Sequence, residues 1–355
     1  MIKAAILANE TENDHALWIS ACKEHSNELS FDVINLTKSD WLERINAEQY
    51  DILLAKPPGI SSHFKQLYDE RIYLLNQVLK FNIYPTLTEI FIYENKRFLY
   101  SWLKAAKMPH PTTSIFYDKA EANDFILRAR LPLVGKTNIG ASGSGIVILN
   151  SISACKKYID RTFSKKGTKR RWGANLSKGN LLRRGLHYLK SPKDIGRKLD
   201  LYSKVRSEIH KDFVIFQEYI NHDFEWRVVA IGDSYFAHKK LKMGNKASGS
   251  LLKNYDNPPL YLFDFAKSIM DKFNFKSQAI DLFETNDGRL LINEMQCIFG
   301  QSDPYQMLVD ETPGRYCNLN NNWVFEAGDF NRFESYDLRV KHVLQIFNKR
   351  KTNTK

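Results

Sequence analysis

The sequence predicts a mixed α/β protein, a parallel α/β segment followed by a half built on antiparallel hairpins. Three observations predict it. Over residues 1–84, apolar strand-like runs alternate with helix-like ones at the spacing of strand–helix–strand units. Two later stretches carry strong short-range hairpin signals, Gly232-Asp233 and Asp287-Gly288, each between runs rich in Ile, Leu, Val or Phe. Between these regions, residues 131–149 read as strand, Gly/Ser loop and strand.

Size and charge set the outer bounds. A chain of 355 residues suggests about two domains with ample core, and 43% hydrophobic with 26% charged residues is an ordinary globular composition. The net charge of +12 is concentrated. Residues 156–211 hold 18 Lys/Arg against 4 Asp/Glu, a balance of +14 that leaves −2 for the rest. Such a segment suits either a polyanion or a solvated excursion. Cys22, Cys155, Cys297 and Cys317 lie far apart without CxxC spacing, which argues against a structural zinc or a disulfide framework and for a reduced, cytoplasmic setting. The first nine residues read as a buried strand rather than a leader, and no run approaches the roughly 18 apolar residues of a membrane span.

In chain order, residues 3–8 and 31–36 read as strands around a helix-like 14–26, and 50–55 is a further strand closed by Lys56-Pro57-Pro58-Gly59. Ligands of open parallel sheets bind beyond the carboxyl ends of the strands, so loop 56–62 is a candidate substrate contact. No GxGxxG fingerprint accompanies it. Residues 64–81 read as one amphipathic helix, and Glu94-Asn95-Lys96 opens another that runs to about Lys107, ended by Pro109 and Pro111. A helix over 120–130 precedes strand 131–136, loop 137–145 and strand 146–149. In that loop Gly140, Gly143 and Gly145 allow backbone N–H groups to converge on an anion, Ser142 and Ser144 add hydroxyls, and Lys136 adds charge. It is not a Walker A loop, since no GK[ST] ends it; a plain flexible turn is the other reading. After the basic segment come strand 212–220, a hairpin pairing 226–231 with 235–240, a Gly/Ser-bearing loop at 245–250 and a helix over 262–273. No internal repeat is visible, and 349–355 reads as a frayed tail.

The stretch from Gln278 to Gln296 carries the most chemistry. With Asp287 and Gly288 as the two central residues of a type I′ turn, Asp281 falls opposite Glu294, and Gln296 shares the face of Glu294. Directly opposed side chains have Cβ atoms roughly 5 Å apart, and like charges there repel unless a cation lies between them. Two carboxylates and an amide oxygen suit Mg²⁺. A surface hairpin with two solvated acids is the alternative.

Lys96, then Lys136 with its Gly/Ser loop, then Gln217-Glu218-Tyr219-Ile220, Glu225-x-Arg227, the Ala247-Ser248-Gly249-Ser250 loop and Asp281…Glu294-x-Gln296 occur in that order. The succession resembles the ATP-grasp superfamily, the fold of glutathione synthetase, D-alanine–D-alanine ligase and the ribosomal-protein glutamate ligases, over roughly residues 88–301. The resemblance implies an N-terminal Rossmann-like substrate domain (1–87) and an ATP-grasp domain (88–320). The latter divides into a lid and flap (88–150), a basic insertion (151–211) and a hinge and metal-site part (212–320), with 321–355 as a C-terminal extension. It further implies that Lys96 and Lys136 reach the nucleotide phosphates under a flap containing Ser142, Gly143 and Ser144. Gln217, Glu218, Tyr219 and Ile220 would meet the adenine edge, and Glu225 the ribose. Asp281, Glu294 and Gln296 would hold Mg²⁺ or Mn²⁺, with Arg227, Lys240 (or Lys239) and Lys246 near the transferring phosphoryl group. Gln296 departs from the family's usual asparagine by one methylene, which puts a second metal position in doubt.

Taken singly, Lys96 and Lys136 read as surface lysines, Glu225 and Arg227 as an exposed ion pair, Phe224 and Trp226 as core, and His110 and His238 as incidental. As a set, they imply an ATP-dependent carboxylate–amine ligase acting through an acyl phosphate. Its small-molecule substrates would include an anionic one, such as a nucleotide-linked sugar or a peptide carboxylate, and nucleic acid is not expected. The rival readings are a small-molecule kinase of the same fold and a polyanion-binding protein that uses residues 156–211.

Overall fold

The computed structural model describes residues 1–140, 144–169, 203, 205, 207–243, 246–247, 252–301 and 303–353, with backbone alone at 243, 246–247 and 350–353. The chain forms two compact units. The first comprises Met1–Pro58, His63–Pro109 and His222–Lys355; the second comprises Gly59–Ser62 and His110–Asn221.

The first unit holds two sheets. One is parallel, in the order Leu29–Asn35, Ile2–Ala8, Ile52–Ala55, Ile83–Tyr84. Its strand Ile2–Ala8 is continuously apolar from Ala4 onward, and Ala4, Ala5, Ile6 and Leu7 have no exposed surface, the pattern of a strand covered on both faces. The cover comes from the helices Ala16–Glu24 and Ser62–Tyr73 and, unforeseen in the sequence, from the C-terminal helix Tyr336–Asn353. Trp18 packs edge-on against Tyr336 with centroids 4.9 Å apart, and its indole N–H donates to the Ala55 carbonyl at 3.1 Å. The last helix thus completes the first core, and its regular structure extends to Asn353, where a frayed tail was expected.

The other sheet has nine strands among the described residues. Its path runs Leu290–Gln296, Ser277–Glu284, Phe224–Ile231, Ser234–Met243, Thr312–Leu319 and Leu308–Val309; Lys246–Ala247 and Lys253–Asn254 pair with Ser234–Met243, and Asn322–Ala327 with Thr312–Leu319. Helix Tyr261–Phe273 packs on it through Leu262, Phe263, Ala266, Ile269 and Met270. The turn at Gly232-Asp233 is the expected two-residue one, with Ile231 facing Ser234 and Gly232 at φ +55°.

Short helices connect the two sheets. Thr86 and Glu89 form a capping box at the start of Leu87–Ile92, and the Glu89 carboxylate also accepts the backbone N–H groups of Lys276 and Ser277 at 2.9 and 2.8 Å. Asn95 caps the next helix, Lys96–Ala105, and Tyr100 of that helix donates its hydroxyl to the Asn293 carbonyl at 3.0 Å. The expected single helix over 64–81 instead ends at Tyr73 and passes into a π-helical turn, Leu74–Val78.

The second unit is an antiparallel sheet in the order Thr113–Phe116, Val214–Glu218, Leu133–Lys136, Ile146–Leu149, with helices Lys119–Ile126 and Ile152–Thr162. Phe116, Leu133, Ile159, Val214 and Phe216 share its core. Gly135 lies against the Tyr158 ring, where a Cβ would come within 2.9 Å of Cζ, so the strand can approach the helix only as glycine. Part of the basic segment belongs to this unit: Cys155, Tyr158 and Ile159 are buried while Lys156, Lys157 and Arg161 face outward, and Thr168–Lys169 pairs with Ile209–His210. Most of the remainder, 170–202 with 204 and 206, lies outside the described residues.

His342 on the C-terminal helix sits against the Gly232 turn and edge-on to Tyr84 at 5.6 Å. Burial, with Lys276 adding to it, depresses its pKa to about 4, so the folded protein holds the ring neutral while the unfolded chain protonates near 6.5. Stability from this group is therefore intact above 6.5 and lost as pH falls toward 4. Urea unfolding at pH 7 and 4.5 should show a loss on the order of 2 kcal/mol in the wild type that His342→Gln does not share; equal slopes in the two proteins would refute the assignment.

Candidate functional site

The hairpin of Ser277–Glu284 and Leu290–Gln296 pairs Asp281 with Glu294, Ile280 with Met295 and Ala279 with Gln296, as the sequence predicts. It does so by a different route. The loop is not a two-residue turn: Thr285 pairs with Arg289, leaving Asn286, Asp287 and Gly288 between them, with Gly288 at φ +78°. Thr285 explains the wider closure, because its Oγ1 accepts the Arg289 N–H at 3.1 Å and donates to the Arg289 carbonyl. The resulting one-residue slip is cancelled by a bulge between Asp281 and Leu282, where Asn293 is the extra residue. The bulge aims the Asn293 amide at Glu225, whose Oε1 it reaches at 3.2 Å.

Cross-strand register then lines up the charges. His238, Arg227, Asp281 and Glu294 occupy one rung across four strands, and Lys240 and Glu225 face each other two residues further along, on the same side as His238 and Arg227 respectively. Asp281 has 1% of its side chain exposed. The Arg227 Nε donates to its Oδ1 at 2.8 Å and Nη2 to its Oδ2 at 3.0 Å, a bidentate pair. The Lys240 ammonium bridges Asp281 Oδ2 at 2.6 Å and Glu225 Oε2 at 2.9 Å. Burial alone would raise the Asp281 pKa, yet Arg227 and Lys240 together hold the carboxyl far below the usual range. Burial likewise opposes the charge on Lys240 and Arg227, and the surrounding carboxylates, Asp281 foremost, outweigh it and raise both.

Toward the edge strand the groups are more open. Glu294 is 22% exposed, with Lys96 Nζ at 3.4 Å from its Oε1. Gln296 donates its Nε2 to Glu94 Oε1 at 3.4 Å, and its own Oε1 accepts no hydrogen bond among the described residues. A divalent cation fits this donor set. A carboxylate has about four lone-pair sites; at Asp281 Oδ1 takes one hydrogen bond and Oδ2 two, so Oδ1 keeps acceptor capacity. No three His, Cys, Asp or Glu converge on a metal position among the described residues. The candidate donors are Asp281, Glu294 and the Gln296 amide oxygen, a sparse oxygen set that suits Mg²⁺ retaining water or phosphate ligands.

In the second unit, Lys136 ends strand Leu133–Lys136 and is 3% exposed, and its carbonyl accepts the Tyr158 hydroxyl at 3.3 Å. The following loop closes through the Thr137 N–H to the Gly145 carbonyl at 2.9 Å, and Ser144 lies beside that closure. Gln217 is buried, its amide donating to Thr113 Oγ1 at 3.1 Å, and the Glu218 carboxylate accepts the Thr112 N–H at 2.6 Å. The expected strand over 212–220 is shorter, Val214–Glu218, so Tyr219 and Ile220 follow the end of the ladder. Ser142, Gly143 and residues 248–250 lie outside the described residues, as does the Lys246 side chain.

Sequence reading missed Asn293 and Glu94. Asn293 adjoins a predicted ligand, but nothing in one sequence announces the bulge that turns it inward. The reading of Glu225 and Arg227 as an exposed pair is corrected. Each is bound to a different charge of opposite sign, and Glu225 is buried.

No family model matches the chain, and no curated protein is similar to it in sequence. Solved structures are similar in fold. The D-alanine–D-alanine ligase of Bacillus anthracis superposes with a TM-score of 0.54 at 12% identity, covering 99% of this chain and 100% of its own. D-cycloserine synthetase gives 0.55 at 11%, covering 96% and 99%. An N5-carboxyaminoimidazole ribonucleotide synthetase in its ADP complex gives 0.53 at 16%, covering 85% and 71%. The chain has the ATP-grasp fold.

The charge row makes a stability prediction. Arg227→Leu leaves Asp281 buried with one cation fewer and should cost about 3–5 kcal/mol, whereas Arg227→Leu with Asp281→Leu should recover much of that loss. Urea unfolding of both variants checks it; a single variant no worse than the double would refute the coupling.

Proposed function

We propose that this ATP-grasp chain is an ATP-dependent carboxylate–amine ligase that forms its amide through an acyl phosphate. The observation that carries the reading is the rung Arg227–Asp281–Glu294, buried and paired on one side and open at Glu294 and Gln296 on the other. That gradient lets one carboxylate be locked in its charged form while its neighbour stays accessible to an incoming cation. The names of the similar structures, two synthetases and a ligase, one with ADP bound, support the same class of reaction.

Asp281, Glu294 and Gln296 would hold Mg²⁺ or Mn²⁺, which supplies charge neutralisation of the triphosphate. Lys96 and Lys136 would bind phosphate oxygens, and the Gly/Ser loop after Lys136 would exclude water. Gln217 to Ile220 would meet the adenine edge and Glu225 the ribose. Arg227 spends Nε and Nη2 on Asp281, so its Nη1 remains for an anionic oxygen. A substrate carboxylate oxygen attacks the γ-phosphorus, and the bond to ADP breaks. An amine then attacks the acyl carbon, loses a proton, and inorganic phosphate leaves. Lys240, bound to Glu225 and Asp281, acts here by holding those two carboxylates in place; Lys246 is the remaining candidate for a cation near the transferred phosphoryl group. The substrates are small molecules, one of them anionic.

ADP release from pooled carboxylates, with hydroxylamine as the trapping amine, should yield a hydroxamate. Glu294→Ala should lower turnover by at least about 100-fold while unfolding like the wild type. Unchanged turnover in that variant would remove the metal assignment, and a stable phosphorylated product without hydroxamate would favour the kinase.

A further inference from the structure

Gln296 poses a problem that Glu294 does not. A primary amide presents an oxygen on one side and an NH₂ on the other, and only the oxygen can ligate a hard cation. The strand sets which face the side chain occupies, but not which way the amide is turned. Glu94 supplies the missing constraint. It is 94% buried by residue, in the turn between Leu87–Ile92 and Lys96–Ala105, and its backbone stands at φ +48°, a left-handed conformation that a glutamate rarely adopts. The neighbouring Asn95 cap and the Tyr100 bond to Asn293 fix that turn against the edge strand. Its carboxylate meets the Gln296 Nε2 at 3.4 Å. A carboxylate only accepts, so the NH₂ faces Glu94 and the oxygen turns away from it.

We propose that Glu94 is a positioning residue which turns the Gln296 amide so that its oxygen faces the divalent cation. The inference rests on the ligase reading of this site and concerns a residue that reading does not use. It also accounts for the glutamine: the longer side chain reaches back to Glu94, and the orientation is set by that contact.

The test reads metal affinity rather than turnover. Mn²⁺ is titrated into the full chain with ADP, and free Mn²⁺ is followed by its paramagnetic resonance; ADP affinity in EDTA is the control. Glu94→Gln, whose amide can meet Gln296 in either sense, should weaken Mn²⁺ binding about tenfold, the usual effect of losing an outer-shell partner. Glu94→Asp, which keeps the charge but withdraws it by one methylene, should act in the same direction, and it carries the test should Glu94→Gln not fold. ADP binding in EDTA should be unchanged in both variants. Wild-type Mn²⁺ affinity in both would overturn the proposal while Glu294→Ala still loses the metal. Wild-type Mn²⁺ binding in Glu294→Ala would overturn the metal site itself.

Discussion

The buried contact of Asp281 with Arg227 and Lys240 is the constraint on which the first unit's site depends. Three strands deliver those groups, and none can leave without stranding a charge in the interior. Desolvation opposes all three, so the arrangement persists only because each satisfies another. Glu225 extends the chain of contacts through Lys240, and Asn293 extends it to the edge strand through its amide. The result is a rigid polar row whose last members, Glu294 and Gln296, are the accessible ones. Preorganisation of this kind would hold the oxygens of the proposed cation site in place before any ligand arrives.

The elements around the row hold it from behind. Glu89 ties the short helix after Pro85 to the first residues of strand Ser277–Glu284, and Tyr100 ties the following helix to the bulge. Those two anchors set where Glu94 and Lys96 stand against the edge strand. Further back, the C-terminal helix packs into the core of the parallel sheet, and buried Arg339 donates to Ser277 Oγ at 3.0 Å, which itself donates to the Cys297 carbonyl at 2.9 Å. Glu89, far upstream, and Arg339, in the last helix, thereby brace the start of the strand that carries Asp281.

Much of this was legible along the chain. The alternation of residues 1–84, the Gly232-Asp233 turn and the opposition of Asp281 and Glu294 follow from local pattern, because side-chain faces alternate with period two and turn dipeptides restrict backbone angles. The last of these held only because two one-residue departures, the wider Thr285–Arg289 closure and the Asn293 bulge, offset each other. The strands Thr312–Leu319 and Asn322–Ala327 were not foreseen because their apolar positions are interrupted by polar ones, although they pair with each other, and the helix Tyr336–Asn353 was not foreseen because its partners lie far upstream.

By itself, then, the sequence determined which residues share a strand face and in what order the chemical groups occur, for these are properties of neighbours along a chain. Tertiary structure alone decided which charge answers which. Arg227 and Asp281 meet across 54 positions, and Gln296 and Glu94 across 202. Such pairings depend on how strands and turns stack in space, and the energy of a buried charge is fixed by the groups within a few ångströms of it, wherever in the chain they originate.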